Sequence, residues 1–237
     1  MCYFPFVPSK GEINRSGELL RQVRLNPSLF SFAERQAAIQ FVEDFRKGYS
    51  YPLLKVNTGL RAMVAQVTSD IVVAQRLKRM PQIIHKLERF PGTNLARMED
   101  LGGCRAVLET SDEVDLVHQK ITRNWAIIRV RDYVQSPKLS GYRAIHLVVE
   151  RDNHRIEVQL RTKGQQARAN VVEKVAASYQ LPLKDEIGPD EVMEWLLLAA
   201  EGIAYKDRGE TVPTALKAEL STASEIAFAW MEAEGAK

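Results

Sequence analysis

Two acids and a dense set of cations are the residues of this chain best equipped for chemistry. Asp100 stands just ahead of a strand-like run, Cys104–Leu108. Glu157 lies in another, where Ile156, Val158 and Leu160 alternate with Glu157, Gln159 and Arg161. Period two puts the three aliphatics on one face of a strand and the three polar groups on the other. An antiparallel sheet with one solvated side accounts for that alternation by itself. The segment ahead of it is harder to dismiss. Arg129 and Arg131 share one side of a strand, and Asp132, Lys138, Gly141, Tyr142, Arg143 and His146 follow, with Pro137 and Gly141 setting the turns. Lysine offers phosphate a compact charge, arginine a planar fork, and tyrosine a face for stacking. Two acids at strand edges can hold a divalent cation against polyphosphate oxygens.

The elements that must position these groups can be read along the chain. Residues 11–25 predict a short helix ending near Asn26-Pro27. Ser31 and Glu34 form a capping box for a second, which runs to Gly48. Tyr49-Ser-Tyr-Pro-Leu53 is expected to connect it to a longer helix from about Asn57 to Met80, ended by Arg76-Leu-Lys78. Pro81 opens another helix. Strands are expected at Cys104–Leu108, Trp125–Val130, Arg143–Glu150 and Arg155–Arg161, with Asp152-Asn153-His154 a tight reversal between the last two. Ser111 opens a helix between the first two strands. Helices follow over Gln165–Tyr179, from Pro189 as first helical residue, and over Pro213–Trp230, with 209–213 a hinge. This order predicts an α+β fold, a small mixed sheet of four to five strands with helices mostly on one face.

Composition sets the surroundings. The chain has 237 residues, 45% hydrophobic and 27% charged, as in ordinary globular proteins. No apolar run approaches a membrane span. MCYFPFVPSK lacks a basic start and is broken by Pro5 and Pro8, a poor signal segment. Cys2 and Cys104 are too few for a disulfide framework or zinc site, and the expected location is the cytoplasm. The net charge of +3 conceals a division. Residues 76–168 hold 18 basic and 11 acidic side chains, and residues 169–237 hold 6 and 13. A basic middle predicts a polyanionic ligand, nucleotide or nucleic acid.

Four segments carry a resemblance. Asp100-Leu-Gly-Gly-Cys-Arg105, Arg131-Asp-Tyr-Val-Gln-Ser-Pro-Lys138, Gly141-Tyr-Arg-Ala-Ile-His146 and Glu157-Val-Gln-Leu-Arg161-Thr resemble, in order and spacing, the RelA/SpoT synthetase domain. That family moves pyrophosphate from ATP to the 3′-hydroxyl of a nucleotide. The resemblance implies a nucleotidyltransferase-like core over residues 55–180, an N-terminal helical segment (1–54) and a C-terminal helical extension (181–237). It implies that Asp100 and Glu157 hold magnesium, with Glu157 also drawing the acceptor's proton. Arg76, Lys78, Lys86, Arg105 and Arg131 would bind ATP, Arg76 and Arg105 sandwiching its adenine. Lys138, Tyr142 and His146 would bind the acceptor, and Arg129, Gln159 and Arg161 would support the site. A surface ion pair for Arg105 and a structural role for His146 remain open. The family more often has Ser where Gln82 stands. None of His85, His118, His146 and His154 precedes Asp, so the metal-binding pair of the family's hydrolase half is not expected. The acceptor implied is GDP, GTP or an adenine nucleotide; a toxin-like relative acting on tRNA and a catalytically silent binding module are the alternatives. An antitoxin or a second copy of the chain would be the protein partner, through the terminal helices.

Overall fold

Full capping boxes start three of the helices. Ser9, Ser31 and Thr162 each accept the backbone N–H three residues on, and Glu12, Glu34 and Gln165 reach back to the cap. In chain order the elements are α1 (Lys10–Leu25), α2 (Phe32–Lys47), α3 (Ser50–Ala65), β1 (Val72–Leu77), α4 (Met80–Arg89), β2 (Gly102–Leu108), α5 (Ser111–Asn124), β3 (Ile127–Asp132), β4 (Ile145–Arg151), β5 (His154–Thr162), α6 (Lys163–Ser178), α7 (Asp190–Asp207) and α8 (Thr214–Gly235). The computed structural model describes residues 8–235, so most of the N-terminal stretch read for a signal segment, Cys2 and Pro5 included, lies outside it. No helix among the described residues is long and apolar enough to cross a membrane.

The helix expected from Asn57 to Met80 is instead two elements. α3 begins earlier, at Ser50, absorbing most of the expected connector, and ends at Ala65; β1 follows. Val72–Leu77 finds a full antiparallel partner in β2, from Val72 opposite Val107 to Leu77 opposite Gly102. That ladder, together with the β-branched pair Val72-Val73, outweighs apolar spacing that also suits a helix. Strands β3 and β4 each start two residues later than expected. Pro189 is the N-cap of α7, outside the helix rather than its first residue. The β4–β5 reversal is as tight as its sequence demands, with Asp152 and Asn153 at φ 50° and 59°, the left-handed region that two-residue hairpins require.

The result is a mixed α+β fold around a five-stranded sheet of order β1-β2-β5-β4-β3. Neighbours are antiparallel except the central pair, β2 and β5, which run parallel. Ala106, Leu108, Leu147, Val149, Ile156, Val158 and Leu160 bury one sheet face with Val56, Leu60 and Val64 of α3 and Val117 and Ile121 of α5. Each such Val, Leu or Ile contributes roughly 1.5–3 kcal/mol on burial. The same core takes in Leu20, Val42 and Ile83 from α1, α2 and α4. A smaller cluster, including Val175, Leu183, Val192, Leu196, Ala227 and Met231, joins α6 to the α7–α8 hairpin.

Candidate active site

The opposite sheet face carries the polar residues in register. One row across the strands reads Ala74, Arg105, Gln159, His146, Arg131, and the next reads Arg76, Gly103, Glu157, Val148, Arg129. Three cavities lie along this face. One of about 500 Å³ holds Arg76, Lys78, Asp100, Arg105, Lys138, His146, Glu157 and Gln159. A second, about 340 Å³, shares several of these and adds Tyr142 and Arg161 beneath a wall from α6. The third, about 290 Å³, lies on the far side of Asp100 and Glu157 and contains Lys86, Arg129 and Arg131. Every site residue expected from the sequence therefore lines at least one of these three cavities, the first sharing residues with each of the other two.

Asp100 sits at the mouth of the β1–β2 pair, where the Lys78 N–H donates to the Leu101 carbonyl at 2.8 Å. Each of its oxygens takes one ammonium: Lys78 Nζ at 2.9 Å and Lys86 Nζ at 2.9 Å. Burial works to raise the Asp100 pKa, but the two lysines outweigh it and the net direction is down. Glu157 follows the same logic. Burial pushes it up, while His146 and Gln159, donating at 3.0 Å and 2.7 Å, carry it below the usual carboxylate value. Both acids are held ionised.

The bonds around Glu157 close into a ring. With Glu157 charged, His146 Nδ1 is the donor, and in the neutral imidazole Nε2 then accepts from the Tyr142 hydroxyl at 2.7 Å. Arg161 donates to that hydroxyl at 2.6 Å and to Gln159 Oε1 at 3.1 Å, and Gln159 returns to Glu157. Tyr142 is thus tethered by its hydroxyl while its ring borders the cleft. The Tyr133 ring stands edge-on to it at 5.7 Å, and Lys138 Nζ lies 5.6 Å and 5.9 Å from the two ring centres. On the other side of the cleft Arg105 shares its cavity with Arg76. Burial, then the like charges of Arg161 and Arg76, lower its pKa, with Glu173 of α6 opposing.

Several contributors carried no motif. Tyr133 is the exception, lying beside Asp132 inside the segment Arg131–Lys138 though not singled out there. Arg168 of α6 is buried and donates to the carbonyls of Ser140 and Leu196. Burial and the neighbouring Arg143 lower its pKa to about 10. Nothing in the helical sequence distinguishes it. Glu99 and Arg155, in the third cavity, were equally unmarked.

Fold and site together define an α+β protein whose open sheet face forms a basic cleft around two ionised carboxylates, an arrangement suited to phosphorylated ligands. Residues 75–181 match the family described as the region found in RelA / SpoT proteins. It is 34% identical over 93 residues to a probable chloroplastic GTP diphosphokinase of Oryza sativa subsp. japonica, covering 36% of this chain and 13% of that protein. It is 27% identical over 161 residues to GTP pyrophosphokinase YwaC of Bacillus subtilis, covering 64% of this chain and 66% of that one. The matches thus span less than two thirds of either relative. In fold, the chain is similar to the small alarmone synthetase 1 from Bacillus subtilis bound to its product pppGpp, with a TM-score of 0.61 at 22% identity, covering 71% of this chain and 93% of that one.

Proposed function

We propose that the protein is a nucleotide pyrophosphokinase, transferring the β,γ-pyrophosphate of ATP to the 3′-hydroxyl of a guanine or adenine nucleotide to make an alarmone. The observation that carries this reading is the place of Glu157. It is an ionised base, bonded on two sides, between an aromatic-walled pocket and the lysine-bound Asp100. The names of relatives such as GTP pyrophosphokinase YwaC support the same reaction class.

In this mechanism the acceptor base stacks beside Tyr142 and Tyr133, which brings the 3′-hydroxyl to Glu157. As the 3′-oxygen attacks the β-phosphorus, its proton passes to Glu157 and the bridging oxygen between the α- and β-phosphorus departs with AMP. A general base of this kind contributes about 10²–10⁴ in rate. Arg76, Lys78, Lys86 and Lys138 supply positive charge toward the triphosphate as negative charge shifts to the leaving group, and Arg131 adds to the binding of ATP. Arg76 and Arg105 stack on the donor adenine.

The donor chemistry fits magnesium: two hard carboxylates on one cleft, with substrate phosphates to complete the shell. Asp100 and Glu157 would hold the ion, and its chemistry would be charge neutralisation on the phosphates.

The test is incubation of purified protein with γ-labelled ATP and a panel of GDP, GTP, AMP, ADP and deacylated tRNA. The expected result is labelled free nucleotide carrying a 3′-pyrophosphate, abolished by Asp100→Asn in a protein with unchanged circular dichroism. Label on tRNA alone, or near-normal turnover of the variant at limiting magnesium, refutes the reading.

A further inference from the structure

On strand β5, Arg155, Glu157, Gln159 and Arg161 alternate onto the cleft face, at about 6.6 Å per two-residue step. Arg161 marks the aromatic pocket and Glu157 the reacting centre. Arg155 lies one step beyond, on the side away from the acceptor. There it meets Arg129 and Arg131 of β3 around a single carboxylate, Glu99, at 3.7, 3.2 and 3.6 Å. Only Arg129 is within hydrogen-bonding reach of Glu99. Three guanidiniums carry five donors each, so one carboxylate leaves most of that capacity and two positive charges unmatched. A solvated cluster of surface arginines is the plainer account of such a group. Against it stands the location: the three converge in a cavity of about 290 Å³ whose other wall contains Asp100 and Glu157.

We propose that Arg129, Arg131 and Arg155 form the subsite for the distal phosphate of the donor, the γ-phosphate of ATP that becomes the terminal phosphate of the product. The assignment rests on the pyrophosphokinase reading, and Arg155 is the member that no sequence motif marks. Along β5 the acceptor pocket is then nearest Arg161, the reacting centre nearest Glu157 and the γ-phosphate nearest Arg155, off the axis on which the 3′-oxygen attacks and the α–β bridging oxygen departs. In the transfer the bond from the α–β bridging oxygen to the β-phosphorus breaks and the bond from the 3′-oxygen to the β-phosphorus forms. The γ-phosphate stays on the β-phosphate throughout. A contact to it is therefore present before, during and after the step, and it strengthens binding of ATP without selectively stabilising the transition state.

Arg155→Gln is the test, since the side chain is half-exposed beside a hairpin. KM for ATP should rise roughly tenfold or more with kcat within about threefold, while KM for the acceptor is unchanged. Calorimetric titration with α,β-methylene-ATP, which cannot transfer, should show the same loss, whereas AMP should bind wild type and variant alike. Unchanged affinity for the analogue, an equal loss for AMP, or a fall in kcat at constant KM overturns the subsite. If the variant loses the analogue selectively but wild type transfers nothing, the subsite stands and the kinase reading falls. Failure of wild type to bind the analogue at all removes both.

Discussion

His146 shows how one side chain sets the working pH of another. Glu157 is largely buried, which favours its protonated form, and its pKa lies low because the hydrogen bonds from His146 and Gln159 outweigh burial. Replacing His146 by Leu removes the largest opposing contribution and leaves burial less opposed. The acid limb of kcat/KM should then move to higher pH, while wild type keeps activity into the acidic range; an unmoved limb would separate His146 from Glu157. The sign carries over to stability. A carboxylate whose folded pKa is depressed stabilises the fold above its unfolded value of 4.5, and that contribution is lost as pH falls through the folded value. Most of this ring was legible because strand alternation places Glu157, Gln159 and Arg161 together. Arg155 obeys the same period two residues earlier, but a lone arginine beside a turn carries no further signal, and its partner Glu99 comes from a distant segment.

The loop from Lys138 to Tyr142 is built as a fixed element rather than a free flap. Arg168 of α6 donates to the Ser140 carbonyl, and Glu186 accepts from the Ser140 N–H and hydroxyl at 3.3 and 3.5 Å. Gly141 has φ 74°, and a Cβ there would lie 2.7 Å from Ala200 of α7. Gly141→Ala combines backbone strain with a clash and should cost about 1–3 kcal/mol in stability. Its expected kinetic mark is a raised KM for the acceptor at unchanged KM for ATP, and equal effects on both substrates would show that the loop serves the cleft as a whole. This clamp was invisible beforehand because it is tertiary, with α6, α7 and a 3₁₀ turn at Leu183–Asp185 meeting over one loop. β1 was missed for a related reason. Only Val73 of that edge strand is buried, so its sequence lacks the alternation that betrayed β5.

Across the whole molecule, charge and topology act separately. The basic cleft should make nucleotide affinity fall with ionic strength, since screening shortens from ~10 Å at 0.1 M to ~3 Å at 1 M salt. KM for ATP should therefore rise severalfold between 0.05 and 0.5 M salt while the thermal midpoint moves little; a parallel drop in both would trace the effect to the fold instead. The basic middle was legible as composition, but its convergence on one sheet face was not, because it depends on strand order. That order has a consequence during synthesis. β5 is the last strand to be made, yet it occupies the centre of the sheet, flanked by β2 and β4. While a ribosome is still making residues 154–162, the earlier strands can form only two separate pairs, β1 with β2 and β3 with β4. Asp100 belongs to the first half and His146 to the second, and Glu157 arrives with the strand that unites them. A nascent or truncated chain lacking β5 consequently has no assembled centre, and competence arises in one late closure rather than by degrees.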